Sequence, residues 1–158
     1  MVIGLKAQKS KAVKKTKPVL GYSDISTVKL DFDNKPLRTV KYWANRVCRF
    51  FKLEGFLILN SSKGSYHVVF NRTVSWIENV HIMDWVALMV EGRGLKNLPL
   101  TKYGLMQGIK ESSCLRLGSK VSKPSPRIVL RFGSQNGEIK KYLTFRRTVK
   151  QIIRRSSQ

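Results

Sequence analysis

Acidic residues are scarce in this chain: 9 Asp and Glu stand against 31 Lys and Arg, a formal charge of +22 over 158 residues. A compact domain carrying that much like charge repels itself, and a polyanion that releases its counterions on binding is the natural compensation. Cysteine is nearly absent as well. Cys48 and Cys114 are the only two, which gives neither a disulfide framework nor a zinc ligand set. No run approaches the roughly 18 apolar residues that a membrane span needs. The opening MVIGLKAQKSKAVKKTKP also lacks the apolar centre of a secretory signal. The expectation is a soluble cytoplasmic protein with no membrane partner. There is no Walker-type phosphate loop, which excludes a P-loop ATPase. Aromatics make up 9% and are scattered, so no platform for stacking bases is visible.

What is present is basic charge, and it is concentrated at the ends. The first twenty residues hold six lysines and no acid, and seven basic residues and no acid follow Glu138. The chain divides into a basic tail over 1–20, one α+β domain over 21–148 and a basic tail over 149–158. Nucleic acid is the expected partner. Solubilising tails on a protein with no site would give the same count.

Two of the few acids fall together in VKLDFDNKP. Val28, Leu30 and Phe32 alternate with Lys29, Asp31 and Asp33, the period of a strand with one buried face. Asp31 and Asp33 then share a side, where their charges repel unless a divalent cation or local lysines relieve them. After them Asn34 is a plausible N-cap, Pro36 fits a first turn, and Leu37, Val40, Ala44, Val47 and Phe51 recur at helical spacing. FLILN and YHVVF read as strands joined by the turn SSKGS, a hairpin that carries His67 onto an apolar strand. A lone histidine there is either a packed residue or a ligand-facing one.

The order of these motifs, D-x-D at Asp31 and Asp33, a helix, a strand, then S-x-H at Ser65, Tyr66 and His67, resembles the archaeo-eukaryotic primase and primase-polymerase superfamily. The match in size and spacing is best with the small members of archaeal plasmids and viruses, and it covers about residues 26–70. The resemblance implies a single mixed sheet with flanking helices around an RRM-like catalytic core. It implies a DNA-dependent nucleotidyltransferase acting in replication, with Asp31 and Asp33 holding Mg²⁺ or Mn²⁺ and with Ser65 and His67 on the triphosphate. Nucleoside triphosphates and a single-stranded DNA template would be its ligands, and a helicase or another replication protein its partner. Lys63 beside Gly64 adds a point charge for phosphate. A catalytically inactive relative, or an unrelated basic nucleic-acid-binding protein, is the alternative.

The family's third acid has two candidates here. Asp84 lies in a segment read as helical, opened by a capping box at Ser75 and Glu78 and closed by Gly92 and Gly94. Glu111 precedes Arg116 and is the expected third catalytic acid. Arg116 and Lys120 flank Gly118 and Ser119 in a basic turn suited to phosphate. RIVLRF and IKKYLTF read as strands joined at Asn136 and Gly137, with Arg127 and Arg131 on one face for the template. Arg146, Arg147, Arg154 and Arg155 in FRRTVKQIIRRSSQ are expected on a short basic amphipathic helix that grips nucleic acid.

Overall fold

The computed structural model describes residues 19–92 and 98–157. The N-terminal lysine-rich segment through residue 18 and the stop signal at Gly94 lie outside the described residues. The strands are β1 (Gly21–Asp24), β2 (Thr27–Phe32), β3 (Gly55–Ser62), β4 (Ser65–Thr73), β5 (Ser113–Arg116) and β6 (Arg127–Gly133). The helices are α1 (Leu37–Phe50), α2 (Trp76–Glu91), α3 (Pro99–Lys110) and α4 (Glu138–Ser156). The class is α+β, as expected. Instead of a single mixed sheet, however, the described strands form two antiparallel ones: a four-stranded sheet in the order β2-β4-β3-β6 and a two-stranded sheet of β1 and β5. β2, α1 and β3 make a split β-α-β unit with β4 inserted between its strands.

The large sheet is covered on both faces. Leu30, Phe32, Phe56, Ile58, Val68 and Phe70 meet Val40, Ala44 and Val47 of α1 and Ile82, Met83 and Val86 of α2. On the opposite face Leu57, Leu59 and Val69 meet Leu115 and Leu117 with Ile139 and Tyr142 of α4. This explains why FLIL and VVF are unbroken apolar runs, since a strand buried on both faces has no polar side to alternate with. At the β3–β4 hairpin Gly64 adopts φ +70°, a left-handed conformation that glycine tolerates without strain. No helix among the described residues is long and apolar enough to cross a membrane.

Four local expectations are corrected. IKKYLTF is not a strand, because it lies within α4. Its apolar residues fit a period of two, but Ile139, Tyr142, Arg146 and Val149 also recur at three- and four-residue steps, and it is this face that packs. Asn71, on β4, settles the choice: its Oδ1 accepts from the N–H groups of Gly137 and Ile139 at 2.9 and 3.3 Å, capping the helix from a neighbouring strand. The boundary at 148/149 disappears, because α4 runs unbroken across it to Ser156. Asn34 is no N-cap. It turns left-handed at φ 54°, Lys35 N–H bonds the Gly64 carbonyl, and Pro36 is the N-cap of α1, with no side-chain cap bond. Finally, Arg127 and Arg131 do not share a face. Leu59 pairs with Ile128 and Ile58 with Leu130, so Val129 is an extra, bulged residue that turns Arg127 toward the α1 side and Arg131 toward α4. The capping residue Ser75 does accept from Glu78 N–H at 3.1 Å, while the Glu78 carboxylate pairs with Arg72.

The small sheet is fastened by a buried charge. Lys29 is fully buried and its Nζ donates to Asp24 Oδ1 at 2.7 Å, to Ser113 Oγ at 2.8 Å and to the Ser113 carbonyl at 3.1 Å. Burial pulls the ammonium below the usual lysine range against the opposing pull of Asp24. Removing one partner of such a pair strands the other charge in the interior. Asp24→Asn should therefore lower unfolding stability by roughly 3 kcal/mol, and Lys29→Met added to it should restore most of that loss. Urea unfolding of the two variants checks this; a double variant no better than Asp24→Asn would refute it.

Candidate phosphate-facing site

Strand alternation puts Lys29 and Asp31 on the α4 side of β2, and the antiparallel register sets Asp31 directly opposite His67 of β4. His67 Nε2 lies 3.7 Å from Asp31 Oδ1, a contact rather than a hydrogen bond. The imidazole is almost wholly buried and its Nδ1 has no hydrogen-bond partner among the described residues. The Asp31 side chain stays about a third exposed, at 32%. Asp33 lies just past the end of β2. Ser65 stands two residues before His67, buried beside the turn, and Lys63 is exposed at its tip.

Arg116, at the end of β5, fastens the basic turn over this pair. Its guanidinium donates to the carbonyls of Gly118 at 2.5 Å, Pro124 at 2.7 Å and, across on the hairpin, Ser61 at 2.6 Å. Lys120 and Lys123 close the turn through reciprocal backbone bonds of 2.9 Å. Arg146 reaches in from α4, donating to the Pro126 carbonyl. The three carbonyls fix the direction of Arg116 without neutralising it.

These charges act on the pair. Burial pushes the Asp31 carboxyl up to about 7, with Asp33 adding to the rise and Lys123, Arg116 and Lys120 opposing it. Burial pushes His67 down to about 3, and Arg116, Arg146 and Lys123 push the same way. The imidazole is therefore neutral, and the contact with Asp31 is not an ion pair despite its distance.

The expected residues are only partly assembled. Asp31, His67, Arg116, Lys120 and Arg146 converge. Glu111 does not join them: it is the exposed, left-handed C-cap of α3, at φ 54°. Its preceding segment is a helix, whose last turn it ends. Asp84 is exposed on α2, which packs on the opposite face of the sheet. Arg154 and Arg155 lie in the last turn of α4. Lys123 was not among the expected site residues, although its position in the same basic turn as Lys120 was the available signal. Among the described residues no three of His, Cys, Asp and Glu gather to hold a metal ion. Asp31 and Asp33 thus fit Mg²⁺ or Mn²⁺ only as partial ligands, with phosphate oxygens and water completing the shell.

Folded Asp31 keeps a proton that the unfolded chain gives up above 3.8, so its contribution to stability is lost as pH rises toward about 7. Folded His67 refuses a proton that the unfolded chain takes up below 6.5, so its contribution is lost as pH falls toward about 3. Between roughly pH 4 and 6.5 the two slopes oppose each other. Single substitutions should separate them. Asp31→Asn should lose stability as pH falls below 6.5, and His67→Asn as pH rises from about 4 to 7, each by an amount of order 1 kcal/mol. Denaturation of both variants across that window decides it, and slopes of the same sign would refute the assignment. No protein-family model, curated protein or solved structure matches the chain, so the site is read from its own residues.

Proposed function

We propose that this chain is a primase-like nucleotidyltransferase that uses nucleoside triphosphates on a single-stranded DNA template, in the replication of an archaeal plasmid or virus within the host cytoplasm. The observation that carries this reading is Asp31 set against a neutral, buried His67 under Arg116, Lys120 and Lys123. The D-x-D and S-x-H motifs thereby stand on adjacent strands, with Asp31 opposite His67, in a split β-α-β unit that a primase-like, RRM-like core would share. Arg116, with its direction fixed by three carbonyls, offers a preset cation to a triphosphate. Lys120, Lys123 and, at the hairpin tip, Lys63 add mobile ones. His67, whose Nδ1 is unpartnered, can donate to or accept from a phosphate group without adding charge. Asp31 and Asp33 would hold Mg²⁺ or Mn²⁺ together with phosphate oxygens, and the ion would supply neutralisation of the charge on the transferring phosphoryl group. A helicase or another replication protein would deliver the template.

A second reading, a catalytically silent relative that only binds nucleic acid, is favoured by one observation: neither Glu111 nor Asp84 stands beside Asp31 and Asp33. Primer synthesis and extension on single-stranded DNA with labelled triphosphates and Mn²⁺ separates the two. The expectation is metal-dependent product that falls at least about 100-fold in Asp31→Asn/Asp33→Asn and in His67→Ala, with DNA binding retained. A folded wild type that binds DNA and makes no product would establish the silent reading instead.

A further inference from the structure

Beyond the Asp31–His67 site, the same side of the sheet carries an open groove of about 230 Å³ between β6 and α4, lined by Arg131, Leu143, Arg146, Arg147 and Lys150. The four α4 residues fall at steps of three, one and three, so they form one helical face two turns long. Arg131 is on that side because it pairs with Leu57, which packs toward α4.

The groove holds four basic side chains and no acid. The three ion pairs among the described residues, Lys29 with Asp24, Arg72 with Glu78 and Lys141 with Glu138, use none of them, and neither does the contact of His67 with Asp31. Arg146 is the telling member. It is only 8% exposed, one of its nitrogens donates to the Pro126 carbonyl, and its Nη1 has no partner among the described residues. A guanidinium taken this far out of water without a counter-ion is costly, and an anion seated in the groove offsets that cost. The like charges also press on one another: Arg146 first, then burial and Arg154, holds the Lys150 ammonium below the usual lysine range. Arg146, which lines the groove, also acts on His67 through its charge.

An enclosed pocket would suit a small anion. This groove is open, has Leu143 in its lining and sets three cations of α4 beside Arg131 of β6, which suits a chain of phosphates. We propose that the β6–α4 groove is a seat for the phosphodiester backbone of single-stranded nucleic acid, which leads past Arg146 toward the Asp31–His67 site. This deepens the template half of the proposed function and rests on it; it does not require nucleotidyl transfer to occur.

The test is fluorescence anisotropy of a labelled oligothymidine across a range of salt concentrations. Arg146 is left in place because it is packed; the exposed pair Arg131→Gln/Arg147→Gln is compared with Arg38→Gln/Lys41→Gln on α1, which removes equal charge from the opposite face. Each single-strand phosphate contact contributes about 0.7 to the slope of log affinity against log salt, so loss of two should flatten it by about 1.4 in the groove variant. The α1 variant should keep the wild-type slope. Equal flattening in both variants would mean diffuse attraction and would overturn the seat. A wild type that binds, with an unchanged slope in the groove variant, would overturn the seat while leaving the template reading standing. A wild type that does not bind would overturn both. Displacement by polyglutamate as readily as by unlabelled oligonucleotide would make the groove a dock for acidic peptide and overturn the proposal.

Discussion

The ammonium of Lys29 sits in the interior, and the α4 side of the sheet is organised around it. Asp24 and Ser113 answer it from β1 and β5, which is why so small a two-stranded sheet stays attached. Thr27 passes the connection on. Its hydroxyl lies 2.6 Å from Asp24 Oδ2 and 2.6 Å from Glu138 Oε2, and Thr73 and Lys141 also reach Glu138, at 2.6 and 2.7 Å. A buried cation and a buried anion thus communicate through one threonine, and β1, β2, β4, β5 and α4 are held in a single polar network. Such networks are costly when half satisfied, so the register of β1 on β5 and the start of α4 are set together. β5 in turn carries Arg116, and α4 carries Arg146, to the Asp31–His67 pair.

In a chain with nine acids, the use of each is informative. Asp24 and Glu138 belong to that network. Glu78 pairs with Arg72. Glu91 accepts from the N–H groups of Leu100 and Thr101 and from the Thr101 hydroxyl, closing the start of α3 from the end of α2. Glu54, Asp84 and Glu111 are exposed. This leaves Asp31 and Asp33, which have no hydrogen-bond partner holding elements together among the described residues. Asp31 is instead kept where burial and a neighbouring carboxylate disfavour its charge. A perturbed carboxyl of this kind is what makes Asp31 a candidate for a functional site.

The sequence made the site's floor legible and left its walls hidden. Alternation in VKLDFD and the glycine turn before YHVVF are local signals, and they placed Asp31 and His67 on strands; that these strands are neighbours came from the topology. Their direct opposition is a matter of register, which no local pattern contains. The second half of α4 was legible as a basic helix; its first half was not, because IKKYLTF satisfies both periods, and the decisive Asn71 cap comes from a residue 66 positions away. α3 was hidden by two glycines in LTKYGLMQGIK, which weaken any helical pattern. The basic wall could be counted from sequence but not sorted: Arg116 was separated from other arginines by three carbonyls, and Arg131 from Arg127 by a single bulged residue.

His67 makes physical sense in these terms. Three cations, Arg116, Arg146 and Lys123, act on it, so a second proton on the imidazole would add repulsion and no new reach. Neutral, it offers hydrogen bonding in a place where positive charge is already plentiful. Asp31 is then the carboxyl of the pair whose charge burial disfavours. In the proposed function, the protonated carboxyl would leave the surrounding cations unopposed for a free phosphate, and the carboxylate would partly neutralise them and serve as a ligand for a cation. The two kinds of guest therefore pull on one proton in opposite directions. By linkage a bare polyphosphate should hold that proton on Asp31, while a phosphate that arrives with a divalent ion should release it.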